Sequence, residues 1–140
     1  MTIISPLLKS IADHEGFSST AYPDPLSKGA PYTFGHGLTS ITESESMEIV
    51  RNRVTSIISA LSIKLPYFTK LPDQAQEVLI EMAYQMGVSG LLGFKNTLNM
   101  VKTGDYVGAS KNMLLSKWAK QTPRRAETLA RKMSMCLHQK

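Results

Sequence analysis

Apolar positions fall at helical spacing through most of the chain, and the clearest run is Met47, Val50, Val54, Ile57, Ile58, Leu61 and Leu65. Thr42 and Glu45 form a capping box ahead of this run, and Pro66 closes it. A helix of that length extends roughly 30 Å at 1.5 Å per residue. It is long enough to link two lobes, or it is a core helix of an undivided bundle. Ahead of it, a first helix is expected with Ser5 as N-cap and Pro6 at N1, carrying Leu7, Leu8 and Ile11 and ending near Glu15 and Gly16. Residues 17–38 break the helical period with Pro23, Pro25, Gly29, Pro31, Gly35 and Gly37 among aromatic and Thr residues, which reads as a small hairpin sheet.

Downstream the pattern is helical again. Asp73, with Gln76 three residues on, opens a helix through Val78, Leu79, Met82, Ala83 and Met86 that stops at Gly87. Glycines in VSGLLGFKN, residues 88–96, permit close turns between helices. Further helices are expected from Phe94 to Val101, from Tyr106 to Trp118, and from Thr122 as N-cap with Pro123 at N1 to about Met135. The fold class is therefore α+β, mainly α, with a β-containing lobe at about 15–40, a connecting helix at about 42–65, and a helical lobe at about 70–140 joined by the N-terminal helix. Met82, Met86, Met100 and Met113 read as core filler, and Trp118 as a core anchor of the helical lobe.

At 140 residues the chain can bury one core, and 42% apolar with 19% charged residues is ordinary for a globular domain. Charge is unevenly spread: residues 1–110 hold eight Lys or Arg and ten Asp or Glu, whereas residues 111–140 hold eight and one. The C-terminal part is thus a cationic surface, which either is simply solvated or attracts nucleic acid, anionic lipid or acidic wall polymers. Nothing resembles a helix-turn-helix or a base-stacking sheet, so no nucleic-acid partner is expected. With Cys136 alone there is neither a disulfide framework nor a Cys/His cluster, and neither a metal nor a cofactor is expected. Signal-peptide and membrane-spanning patterns are absent, which predicts accumulation in the cytoplasm without stable membrane insertion.

Chemistry concentrates in EGFSSTAYPDPLSKGAPYTFGHGLT, residues 15–39. Glu15, Asp24 and Thr33 gather around one short glycine-studded hairpin, and two carboxyl groups beside such a turn are the minimum for acid-base hydrolysis of a glycosidic bond. The order Glu15-Gly16, Ala21-Tyr22-Pro23-Asp24 and Thr33-Phe34-Gly35-His36-Gly37-Leu38-Thr39 resembles the active-site segment of the phage-type, T4-lysozyme-like glycoside hydrolases of family 24. MAYQMGVSGLLGFKNTLNM at 82–100 and WAKQTPRRA at 118–126 resemble two helical segments of the same family, so the likeness covers nearly the whole chain.

That resemblance implies a lysozyme-like fold and a muramidase that hydrolyses β-1,4 bonds between N-acetylmuramic acid and N-acetylglucosamine in bacterial peptidoglycan by an inverting reaction. Glu15 is then the general acid, which must keep its proton near neutrality, normally through partial desolvation. Asp24 positions or deprotonates a water, and Thr33 hydrogen-bonds that water. Each has a plainer reading: a helix-end carboxylate, a turn-capping aspartate, a strand threonine.

The same resemblance puts Tyr84 and Gln85 on the sugar cleft, with Tyr84 as helix packing the alternative, and puts Arg125 beside the acid. A cation there favours the ionised carboxylate, so Arg125 is assigned an orienting role, or else belongs to the general cationic face. His36 receives no catalytic role.

Two departures from the family pattern stand out. Eight residues between Asp24 and Thr33 make a longer hairpin tip, and Leu38-Thr39 runs almost directly into ITESESMEIV, which makes the small lobe compact. Biologically, the resemblance implies a phage endolysin, monomeric, held in the host cytoplasm until a holin-like protein opens the membrane and then acting on the periplasmic wall. A lytic transglycosylase on the same bond and a non-catalytic wall-binding module are the alternatives. Tail-associated and toxin lysozyme domains share this fold.

Overall fold

The structure, a computed structural model, describes residues 4–23 and 32–137. Its secondary structure is α+β and mainly α, as the apolar period predicts, with seven α-helices and one two-stranded antiparallel sheet among the described residues. The chain divides into two compact units, Met1–Glu48 and Ile49–Lys140.

In the first unit, α1 (Ile4–Glu15) begins one residue ahead of the expected Ser5 cap, within the ordinary play of a helix end. It stops where expected because Gly16 takes the left-handed conformation at φ 70 while its N–H still bonds the Ala12 carbonyl at 2.9 Å. Strands β1 (Ser18–Pro23) and β2 (Tyr32–Gly35) pair antiparallel with Ser18 opposite Gly35 and Tyr22 opposite Thr33. Four steps along β1 thus oppose two along β2, so β1 is bulged between Ser18 and Tyr22. Beyond β2, Phe34 and Leu38 exchange two backbone hydrogen bonds of 2.8 Å each and close a tight turn over residues 35–37. Gly35 and Gly37 sit there at φ 58 and 73, in the region that a side chain disfavours.

Helix α2 (Glu43–Lys64) carries the expected capping box: the Thr42 N–H donates to Glu45 Oε1 at 2.8 Å and the Glu45 N–H to Thr42 Oγ1 at 3.1 Å. Hydrogen bonding to the Thr42 backbone N–H first, and to the Thr42 side chain second, holds the Glu45 carboxyl below its ordinary value. Of the expected apolar run only Leu61 and, just past the helix, Leu65 are buried; Ile57 is partly buried, while Met47 and Ile58 are exposed.

The second unit builds its core from the remaining helices. A 3-10 turn at Phe68–Lys70, which the apolar period does not reveal, buries Phe68 completely. Helix α3 (Asp73–Leu92) opens at Asp73 as expected, with Pro72 at its N-cap. Gln76 forms no capping box; its amide donates back to the Thr69 and Leu71 carbonyls at 3.3 and 3.0 Å. Gly87, at φ 84 and ψ 157, interrupts the helix as expected, but residues 88–92 resume it where a loop is predicted.

Helices α4 (Lys95–Thr103), α5 (Tyr106–Met113), α6 (Lys117–Gln121) and α7 (Pro123–Ser134) follow. The single helix expected over 106–118 is two, because Ser116 caps α6 by accepting the Ala119 N–H at 3.1 Å. Pro123 stands at N1 of α7 as expected, whereas the Thr122 hydroxyl donates to the Trp118 carbonyl at 3.0 Å and makes no N-cap bond.

Leu61, Phe68, Val78, Leu79, Met82, Leu91, Val101, Met113 and Met133 are fully buried in one cluster, with Met86 and Met100 packed against it. The four methionines read as core filler are therefore core or its margin. Helices α3 and α7 are joined at the surface by Glu81 with Arg125 at 3.0 Å and Glu77 with Lys132 at 2.6 Å. One residue number rises as its partner's falls, so the two helices run antiparallel.

Candidate active site

Glu15 is the last residue of α1, and Gly16 turns the chain away immediately after it. This αL stop leaves the Glu15 side chain at a helix end, and the residue is exposed. Its carboxylate lies over Gly37: a methyl group built there would collide with Oε2 and stand 2.7 Å from Cδ. Only glycine leaves room for Glu15 in this position, and the positive φ of the turn asks for glycine as well. A second contact ties the same two segments, since the Phe17 and His36 rings lie 5.2 Å apart at a tilt of 47°. The segment after α1 is thereby fastened to the 35–37 turn at two adjacent places.

His36, to which the sequence assigns no chemistry, has a packing role here, and Phe17 is its partner. Thr33 stands on β2, two residues before the turn opens, and is 7% exposed. Asp24, the proposed water-activating carboxylate, lies outside the described residues, as does most of the hairpin tip.

The second unit carries the other three candidates. Tyr84, 39% exposed on α3, forms the common wall of two grooves. One, of about 470 Å³, is lined by Ile49, Asn52, Arg53, Ser56, Ile57, Ala83, Tyr84, Gly87 and Val88. The other, of about 530 Å³, is lined by Val50, Val54, Glu77, Ile80, Glu81, Tyr84 and Arg125. An aromatic ring beside amide, guanidinium and hydroxyl groups suits a saccharide, which has apolar ring faces and polar edges. Asn52, Arg53 and Ser56 are not among the residues the sequence singles out. Their signal is modest: Asn52 and Ser56 stand one helical turn apart beside the apolar positions of α2.

Gln85, expected on the sugar cleft, accepts a hydrogen bond from Trp118 Nε1 at 2.9 Å. Trp118 is the core anchor expected, 8% exposed and edge-on to Phe94 at 6.1 Å. The Gln85 oxygen is thus committed to holding the indole, and its NH₂ group is the part left to meet a ligand. Arg125 lines the second groove with Tyr84, and its Nε donates to Glu81 Oε2 at 3.0 Å. Its expected partner Glu15 belongs to the other unit.

Among the described residues no group of three or more His, Cys, Asp or Glu could hold a metal ion, and no helix is long and apolar enough to cross a membrane.

With this arrangement in place, similarity to known proteins is informative. The chain is 30% identical over 89 residues to a protein of Dictyostelium discoideum described as probable T4-type lysozyme 1, a stretch covering 61% of this chain and 52% of that relative. It therefore spans about half the length of the curated relative it matches. A profile of the family described as phage lysozyme matches residues 12–134, which include Glu15, Thr33, Tyr84, Gln85 and Arg125. The α+β, mainly-α architecture is of the lysozyme-like kind, and the chain belongs to the phage lysozyme family.

Proposed function

We propose that this protein hydrolyses the β-1,4 bond between N-acetylmuramic acid and N-acetylglucosamine in bacterial peptidoglycan. The observation that carries this reading is the seating of the Glu15 carboxylate on Gly37, in the turn that follows the Thr33 strand, within a chain of the phage lysozyme family. Glycoside hydrolysis needs a proton delivered to the leaving oxygen and a water delivered to the sugar carbon. Glu15 is assigned the first task. Asp24, helped by Thr33, is assigned the second, in an inverting reaction for which the two carboxyl groups stand roughly 6.5–9.5 Å apart. Tyr84 and the Gln85 amide bind sugar, and Arg125 orients the acid.

The test is chemical. Wild-type digests of purified cell wall, read by mass spectrometry, should carry free reducing ends, and Glu15→Gln should release none above background. Anhydro-sugar ends would make the protein a lytic transglycosylase, and full activity in Glu15→Gln would remove Glu15 from the mechanism. If no preparation clears walls, a non-catalytic wall-binding role takes over. The anomer first released, read by NMR, decides between inversion and retention.

In its biological setting the proposal is a phage endolysin, monomeric, held in the host cytoplasm until a holin-like protein opens the membrane. Fractionation of expressing cells checks this, because appearance in the periplasm without a membrane lesion would defeat the holin requirement.

A further inference from the structure

Outside the grooves at Tyr84, one surface of the second unit combines two features that rarely share a site without a reason. Leu114 and Leu115, 42% and 76% exposed, form the connection between α5 and α6. Val107, 52% exposed, lies seven residues before Leu114 on the same stripe of α5, and exposed Lys111 stands between them. The opposite face of α5 buries Tyr106, Ala109, Ser110 and Met113 in the core, so the outward stripe is fixed in direction.

This connection is held rigidly. The Leu115 N–H bonds the Asn112 carbonyl at 3.1 Å and the Ser116 N–H the Met113 carbonyl at 3.3 Å. The Ser116 hydroxyl donates to the Met113 carbonyl at 2.7 Å while capping α6. The leucines are thus displayed by a capped, bonded turn, at a cost in exposed apolar surface that folding does not recover.

Along the chain on either side of this apolar tip the charge has one sign. Lys111, Lys117 and Lys120 are all exposed, and residues 106–126 contain five cationic side chains and no Asp or Glu. The nearest acid along the chain, Asp105, caps α5 by accepting the Gly108 N–H at 2.9 Å.

We infer that the Leu114–Leu115 tip with Lys111, Lys117 and Lys120 is a docking surface for an anionic phospholipid bilayer. Lysines meet lipid phosphates at the surface, each adding to the attraction, and the leucines enter the acyl boundary. An acidic soluble polymer satisfies the lysines but offers nothing to the leucines, which is why a bilayer fits better than a nucleic acid or a wall polyanion. Docking of this kind is peripheral and reversible, and it stands independently of the hydrolase reading.

Sedimentation of the full chain with vesicles of phosphatidylcholine alone, or with about one third phosphatidylglycerol, tests it. Wild-type protein should partition into the anionic vesicles and not the neutral ones. The Leu114→Ser/Leu115→Ser double variant should bind at least about thirty-fold more weakly, the scale set by the apolar area that leucines 42% and 76% exposed can still bury. Its thermal unfolding should match wild type, since neither side chain is in the core. Lys111→Gln/Lys117→Gln/Lys120→Gln should lose binding as well. Equal partition of wild type into both vesicle types would overturn the inference. So would leucine-variant binding equal to wild type, or competition by polyphosphate that removes wild type from vesicles and leaves the leucine pair irrelevant.

Discussion

Replacing Gly37 by alanine imposes two costs that a second variant can separate. At φ 73 an alanine pays the left-handed penalty, about 1–2 kcal/mol, whatever surrounds it. The new methyl also collides with the Glu15 carboxylate, standing 2.7 Å from Cδ and 3.2 Å from Cγ. Ordinary carbon contacts begin near 3.5 Å, so Glu15 must retreat by on the order of 1 Å. A free-ended side chain does this by leaving its rotamer, for about 0.5–1.5 kcal/mol.

Gly35→Ala provides the comparison. Gly35 has φ 58, and its added methyl meets only Leu38 Cδ1 at an acceptable 3.4 Å. Both variants should therefore lose similar stability in urea unfolding, within about 1.5 kcal/mol of each other. Wall clearance should differ far more, because a misplacement of about 1 Å in a reacting group can cost roughly 10²-fold. If Gly37→Ala and Gly35→Ala clear walls at the same rate, either Glu15 is not the reacting group or its seat on the turn is irrelevant to reaction.

Four further expectations rest on named contacts. Gln85→Ala strips Trp118 Nε1 of its acceptor and should cost about 1–3 kcal/mol in urea unfolding, whereas Gln85→Glu keeps an oxygen there and should cost less. Leu79→Ala opens a cavity in the helical core and should cost about 2–5 kcal/mol by the same measurement. Arg125→Gln breaks a half-exposed pair with Glu81 and should change stability by less than about 1 kcal/mol, so a large loss of activity measured alongside would reveal a role at the substrate. Because folding lowers the Glu45 carboxyl below its ordinary value, its contribution to the α2 cap is complete above the unfolded value and fades as acid passes the folded one; amide protection at the start of α2 should fall there, and Glu45→Gln should abolish the pH dependence, whereas Thr42→Ala, which keeps the backbone donor, should only reduce it.

Local chemistry made much of this fold legible in the sequence. Thr42 with Glu45, Pro123 at N1 and Gly16 after Glu15 each carry their own stop or start signal within four residues, and each acts where expected. The misses have equally definite causes. Across 113–118 the apolar period continues, so only the competing cap of Ser116 splits α5 from α6. After Gly87 the chain resumes a helix because one glycine at positive φ suffices for the break. At the site, Glu15 is marked by its helix end, but its seat on Gly37 joins residues far apart in sequence, and no spacing rule anticipates that contact. The bond between Gln85 and Trp118 spans 33 positions and occupies the oxygen of a side chain that the family resemblance places on the sugar cleft.

Cys136 offers a different use of the same core. It is the chain's single cysteine, 8% exposed just beyond α7, with its Sγ 3.7 Å from the Lys132 carbonyl. Burial raises the thiol above its ordinary value, which suppresses the nucleophilic thiolate in the native state. A maleimide or disulfide reagent therefore modifies chiefly those molecules in which the segment around Cys136 has lifted from its neighbours. The rate of that reaction is a clock on local opening, built into the native chain without an engineered label.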